Sequence, residues 1–209
     1  MEKIVYFNRV TKVMVLMAFL TSHFSFLTAY GQTAQQVLDK TAGVVSYKKG
    51  VQASFTISSK QYGSTSGTID IKGRKFHATT HEAVVWFDGK TQWTYVRQND
   101  EVNVNTPSAA DLQAINPYNF IYMYKQGYAA TMTKSGNSYI VTLKGRGKSI
   151  SEMVITINKK TYVPSQIRML QNKQWTTINV SNFKTANLSE GVFRFNTKSY
   201  PNAEIIDLR

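Results

Sequence analysis

The chain has 209 residues, a formal net charge of +13 and no cysteine. The lack of cysteine excludes disulfide bonds, thiolate metal sites and the acylated cysteine of a bacterial lipoprotein. The basic excess is dispersed over predicted turns, where solvated loops are the ordinary explanation and attraction to anionic proteins or lipid head groups is the functional alternative.

The first 31 residues have the pattern of a cleaved secretory signal peptide. Three cations precede an apolar run at 13–20, and Ala29 and Gly31 supply small residues at a cleavage site. An uncleaved membrane anchor is the alternative, disfavoured because polar residues at 21–25 interrupt the apolar run. We therefore expect a secreted, soluble protein with no nucleic-acid partner, in which residues 32–209 form one domain of net charge +11.

Residues 32–47 are predicted to form an amphipathic helix. Apolar residues recur there at steps of three and four, and Gly50 provides a stop signal. From Val51 the apolar period changes to two, which predicts a meander of about six strands: 51–58, 68–72, 75–80, the two arms of a tight hairpin within 83–95, and 101–106. The segment 63–67 is predicted to be a polar turn.

The hairpin around Asp88-Gly89 is the strongest local signal in the chain. Asp-Gly between β-forming runs predicts a type I′ turn. The period of two then places four large side chains, Val84, Trp86, Trp93 and Tyr95, on one face of the sheet. Ordinary core and the wall of an apolar binding site are both open interpretations.

Residues 107–128 interrupt the sheet with an aromatic helical segment. Asn116-Pro117 is typical of a helix start, and the tyrosines that follow suit either packing core or a lid over a ligand. Strands resume at 129–133, 139–144, 152–158, 163–170 and 175–183, and a tail carries Phe193 and Phe195 in alternation before a short strand-like run at 203–206. The predicted fold class is α+β and mainly antiparallel β: a curled sheet of about ten or eleven strands, covered by the N-terminal helix and the short lid.

Enzymatic chemistry finds little support. His77 and His81 lack a third ligand at metal-site spacing, and the Gly-Ser-Thr-Ser-Gly run at 63–67 has threonine where a nucleophile elbow needs serine. A carboxylate pair of Asp70 and Glu152 is the remaining catalytic alternative. We therefore predict a non-enzymatic protein with no catalytic residue, metal site or cofactor.

Several segments together resemble the LolA family of periplasmic outer-membrane lipoprotein carriers. The most specific are the DGKT-x-W-x-Y hairpin at 88–95 and the tail in which Phe193-Arg194-Phe195 precedes Pro201 and Glu204-Ile205-Ile206-Asp207. The resemblance spans nearly all of residues 32–209. It implies an incomplete β-barrel with an apolar cavity for acyl chains, acylated lipoproteins as cargo, and exchange with an inner-membrane lipoprotein-releasing transporter and an outer-membrane acceptor, the carrier itself being a monomer.

The predicted acyl-chain cavity combines the apolar strand positions with the lid. It consists of Phe55, Ile57, Ile69, Ile71, Phe76, Val84, Trp86, Trp93, Tyr95, Tyr118, Phe120 and Ile121. By resemblance, Arg74 is the candidate for the arginine that ties barrel to lid, although its turn lacks the family's proline and is shorter. A periplasmic lipid or lipopeptide sensor of the same fold is the alternative function, and a hydrolase with spatially assembled carboxylates is the third.

Overall fold

The computed structural model describes residues 32–60, 63–108 and 123–209. The predicted signal peptide at 1–31 and the predicted lid residues Tyr118, Phe120 and Ile121 lie outside the described residues.

The longest helix of the described residues, α1, spans Ala34–Val45. Thr33 caps it through a capping box: the Thr33 side chain accepts from Gln36 N–H, and the Gln36 side chain accepts from Thr33 N–H. Val37, Leu38 and Val45 are buried along one stripe, as the sequence period predicts. The helix ends two residues before the predicted limit.

Twelve strands form one open, curled sheet within the described residues, which confirms the incomplete-barrel prediction. Their order across the sheet is β12-β6-β5-β4-β3-β2-β1-β11-β10-β9-β8-β7, and all neighbours are antiparallel except β12 and β6. The strands are β1 Val51–Ser59, β2 Gly63–Lys72, β3 Lys75–Thr80, β4 Ala83–Phe87, β5 Gln92–Val96, β6 Glu101–Asn105, β7 Ala129–Ser135, β8 Ser138–Lys144, β9 Ile150–Asn158, β10 Pro164–Gln171, β11 Gln174–Thr185 and β12 Glu204–Asp207.

Two local predictions are wrong. The segment 63–67 is not a turn but the first half of β2, paired with β1 from Ser59 opposite Gly63 onward. The Asp88-Gly89 hairpin has a four-residue loop rather than a type I′ turn, because Gly89 has a positive φ and Asp88 does not. Instead the Asp88 carboxylate accepts from the N–H groups of Lys90 and Thr91, which closes the loop as an Asx-type turn.

The C-terminal tail begins with a short 3₁₀ helix, Glu190–Phe193, of which Phe193 is the last residue. A second 3₁₀ turn, Thr197–Ser199, follows, and the tail then enters β12, parallel to β6 at the edge of the sheet. Among the described residues, no helix is long and apolar enough to cross a membrane.

The main hydrophobic core lies between α1 and one face of the sheet, which we call the inner face. Buried residues on this face include Phe55, Ile69 and Phe76 on one side of the sheet, and Leu143 and Ile155 on the other. The opposite, outer face is covered over β3 and β4 by the tail, where Phe193 is fully buried. The two faces therefore have separate covers.

Candidate functional site

The inner face is a continuous apolar surface over β1 to β4. Directly opposed residues share a face, and two such rows cross these four strands. They run Val51-Ile71-Phe76-Phe87 and Ala53-Ile69-Ala78-Val85. The Phe55 side chain belongs to the same face and lies against Gly67, at a position where a methyl group would be 2.9 Å from its ring. Five predicted cavity residues, Phe55, Ile57, Ile69, Ile71 and Phe76, share this face.

The four hairpin residues lie on the outer face instead. Trp86 is opposite Trp93 and Val84 is opposite Tyr95, so the four share one face as expected. Trp86 is also opposite His77, however, whereas its neighbour Phe87 is opposite the inner-face Phe76. The prediction that Val84, Trp86, Trp93 and Tyr95 share one cavity with Phe76 is therefore corrected.

The tail packs directly on these outer-face aromatics. The Trp86 ring lies 5.5 Å from the rings of both Phe195 and Tyr200, and the Tyr95 and Tyr200 rings are 4.5 Å apart, measured between centroids. Phe195 and Tyr200 also contact each other. Phe195 and Tyr200 of the tail thus cover Trp86 and Tyr95 of the hairpin.

The reason for the error is that β4 is apolar on both faces. In Ala83–Phe87 a period of two cannot tell which alternate set points inward, so Val85 and Phe87 were missed. The short turn between Lys72 and Lys75 could have indicated which face of β4 is the outer one. This turn places the polar Asp70 opposite His77, and His77 is opposite Trp86, so that all three lie on the outer face.

A polar cluster continues the outer face beyond Trp86. The Asp70 carboxylate accepts from His77 Nδ1 at 3.2 Å and from Gln52 Nε2 at 2.6 Å, and His77 stacks on Trp86. Burial alone would raise the Asp70 pKa, but the hydrogen bonds from His77 and Gln52 outweigh it and lower that pKa. A groove of about 270 Å³ lies beside this cluster and includes Lys184 and Asn182.

The described end of the predicted aromatic segment, residues 123–128, packs against α1 and the sheet. Tyr124 and Tyr128 are buried, the Tyr124 hydroxyl bonds to Asp39 of α1, and the Tyr128 hydroxyl donates to the Ile150 carbonyl at 3.0 Å. Arg74 is exposed in the turn between β2 and β3. Its predicted contact with the lid involves residues outside the described ranges and stays a prediction.

Polar side chains replace the apolar ones where the inner face crosses β5 and β6, a feature that the sequence analysis missed. Gln92 follows Phe87 in its cross-strand row and Asn105 follows Gln92. In the neighbouring row Thr94 and Asn103 stand opposite each other. Gln92 is 5 % exposed, and its Nε2 donates to Thr94 Oγ1 at 3.0 Å. Within the described part of the chain, Gln92 Oε1 and Asn105 Oδ1 are buried without a hydrogen-bond partner.

Within the described ranges, no three His, Asp or Glu residues lie close enough together to bind a metal ion. The arrangement offers surface for binding: an apolar inner face with one polar margin.

The family is shown by comparison with known sequences. Residues 24–173 match the family described as outer membrane lipoprotein carrier protein LolA. The chain belongs to the LolA family. No curated protein matches this LolA-family sequence significantly.

Solved structures are similar to this chain at low sequence identity. An uncharacterized conserved protein from Thermus thermophilus is 15 % identical with a TM-score of 0.57, over 83 % of this chain and 98 % of that one. A LolA superfamily protein from Nitrosomonas europaea is 11 % identical with a TM-score of 0.45, over 79 % and 99 %. A putative outer membrane lipoprotein-sorting protein domain from Vibrio parahaemolyticus is 9 % identical with a TM-score of 0.46, over 80 % and 97 %.

Proposed function

We propose that this LolA-family protein is a non-enzymatic periplasmic carrier that binds the acyl chains of lipoproteins against its inner face. The observation that supports the proposal is the continuous apolar inner face over β1 to β4, which joins a core that α1 and Tyr124 cover. Trp86 and Tyr95 are left out of the proposed binding surface because the tail packs on them, and Val84 and Trp93 because they lie on the same outer face.

The proposed binding surface is the inner-face part of the predicted set together with two residues that the structure adds. It comprises Phe55, Ile57, Ile69, Ile71, Phe76, Val85 and Phe87, with Tyr118, Phe120 and Ile121 kept as the proposed lid. Each buried CH₂ of an acyl chain contributes about 0.8 kcal/mol. A partly buried long chain therefore gains enough to offset the opening of a cover.

In the proposed mechanism, the cargo is released by transfer to an acceptor, without a covalent step. A cargo chain leaves when an acceptor offers it more apolar contact, so the proposed route runs from an inner-membrane lipoprotein-releasing transporter to an outer-membrane acceptor. The net charge of +11 on residues 32–209 suits docking to acidic surfaces on such partners. Salt-insensitive complex formation would argue against that docking step.

Photo-crosslinking from two neighbouring positions tests which face binds cargo. Ala78 and Thr79 are consecutive residues of β3, both partly buried, and they point to the inner and outer face respectively. We expect a benzophenone amino acid at position 78 to crosslink a triacylated lipopeptide and the same group at position 79 to give little product. Equal crosslinking from both positions, or more from position 79, would contradict binding of cargo to the inner face alone.

The cargo itself is identified by what co-purifies from a diderm bacterial envelope. Triacylated lipoproteins recovered with the protein support the carrier, whereas free lipid without lipoprotein supports a sensor of the same fold. Recovery of neither would exclude both.

A further inference from the structure

The row of inner-face residues that begins at Val51 changes from apolar to polar at β5. Across β1 to β4 it is apolar, namely Val51, Ile71, Phe76 and Phe87, and across β5 and β6 it continues as Gln92 and Asn105. At about 4.8 Å between strands, the apolar part extends for about 14 Å. An amphiphile aligned with this row would have its chain on the phenylalanines and its head at the two amides.

The two amides have unmet hydrogen-bonding capacity. Gln92 is 5 % exposed and Asn105 stands directly opposite it, and both side-chain oxygens are buried without a partner in the described part of the chain. Exchanging the oxygen and nitrogen of the Gln92 amide would leave its NH₂ unpaired instead, because Thr94 occupies only one of the two ends. Buried polar atoms are normally paired, so this pair differs from the rest of the sheet.

A second cross-strand Gln-Asn pair shows that the sheet can satisfy such residues. On the outer face, Gln166 of β10 stands opposite Asn179 of β11, and Gln166 Nε2 donates to Asn179 Oδ1 at 2.9 Å. The same two residue types thus bond to each other where they face solvent. On the inner face they leave both oxygens available.

We infer that Gln92 and Asn105 form a head-group subsite that recognises the amide of an N-acylated ligand whose chain lies along Phe87 and Phe76. This inference rests on the proposed function and specifies its ligand class. The Gln92 and Asn105 oxygens accept from an amide N–H, and Cβ atoms of directly opposed residues lie about 5 Å apart, so that one small group reaches both side chains. An ester offers no N–H and leaves both oxygens unpaired.

Two single-chain ligands that differ in one group test this directly. N-methylpalmitamide and methyl palmitate carry the same chain, but the first has an N–H where the second has an ester oxygen. Affinities are measured by displacement of a fluorescent fatty acid from the purified protein. We expect the wild-type protein to prefer the amide about tenfold, the value of one hydrogen bond to buried partners.

Substitutions test whether Gln92 and Asn105 cause the preference for the amide over the ester. Asn105→Leu and Gln92→Leu are each expected to lower the ratio of amide to ester affinity, because each removes one of the two acceptors. Gln166→Leu, in the outer pair, is the matched control and is expected to retain the preference. Circular dichroism and thermal unfolding establish that each variant is folded.

The possible failures are distinguishable. If wild-type protein binds both ligands with equal affinity, the subsite is wrong while acyl binding stands. Equal preference in wild type and a folded Asn105→Leu variant likewise overturns the subsite. If neither ligand displaces the fluorescent fatty acid from the wild-type protein, the proposed acyl-binding function itself fails.

Discussion

On the outer face of the sheet, Asp70 accepts a hydrogen bond from His77, its direct partner across β2 and β3, with 3.2 Å between Oδ2 and Nδ1. Gln52 donates to the other oxygen of the same carboxylate. These bonds favour the charged form of Asp70 and lower its pKa from 3.8, against the opposing effect of burial.

This relationship predicts a pH-dependent contribution to stability. A carboxyl group whose pKa is lower in the folded protein stabilises the fold above its unfolded pKa, and the contribution disappears as pH falls through the folded pKa. We expect Asp70→Asn to lower the free energy of unfolding by about 1 kcal/mol near pH 7 and by much less near pH 3. Urea denaturation of both proteins across that range is the measurement. A difference that stays constant with pH would contradict the assignment.

The contact between Trp86 and the tail predicts a variant that is destabilised but still binds ligand. Trp86 is 7 % exposed and packs on Phe195 and Tyr200. We expect Trp86→Ala to cost about 3 to 5 kcal/mol of stability while the affinity of the folded protein for a fluorescent fatty acid stays unchanged. If the folded variant lost affinity for the fatty acid, Trp86 would be part of the binding surface after all.

A double-mutant cycle checks that the tail is the partner. Edge-to-face aromatic pairs contribute about 0.5 to 1.5 kcal/mol beyond their burial. We expect Trp86→Ala and Tyr200→Ala to show a coupling of that size in the free energy of unfolding. Strict additivity would mean that the ring contact contributes nothing beyond burial.

The elements of this fold could be predicted from the sequence because each has a clear local pattern. The helical period of Val37, Leu38 and Val45, and the alternation of Val51, Ala53 and Phe55, each specify one element and one buried face. Segment 63–67 was mistaken for a turn because glycine and serine favour turns in isolation. Pairing with β1 overrides that preference.

The binding face could be predicted only in part, for a different physical reason. Where a strand has one polar face, as β1 does, alternation settles which side is buried. In β4 both faces are apolar, and the choice depends on the tail, a segment about one hundred residues away in sequence that covers one of them. The polar margin at Gln92 and Asn105 could not be predicted from the sequence. Each residue lies at the end of a strand, and a single amide side chain at such a position does not indicate a binding site.

The capping box of α1 predicts a modest, local effect. Thr33 and Gln36 satisfy each other's backbone N–H groups at the start of the helix. We expect Thr33→Ala to lower the free energy of unfolding by about 1 kcal/mol and Thr33→Ser to leave it nearly unchanged, because serine supplies the same acceptor. Chemical denaturation of the two variants is the measurement. Equal losses would show that the threonine methyl group, rather than the cap, contributes the stability.

Two glycines with opposite surroundings give a paired prediction. Gly67 lies in β2 beneath the Phe55 ring, and a Cβ there would clash with the backbone carbonyl of Thr79 as well as with that ring. Gly43 lies on the exposed side of α1, where a Cβ would meet nothing within 4 Å. The same glycine-to-alanine change therefore has different physical consequences at the two positions.

We expect Gly67→Ala to destabilise the protein by about 3 kcal/mol, because the strands on either side of β2 must separate to admit the methyl group. Gly43→Ala is expected to stabilise it by about 0.5 to 1 kcal/mol, since alanine loses less backbone entropy in a helix. Thermal and urea unfolding of both variants provide the comparison. A neutral Gly67→Ala variant would contradict the close packing of Phe55 on β2, and with it the inner-face geometry on which acyl binding is proposed.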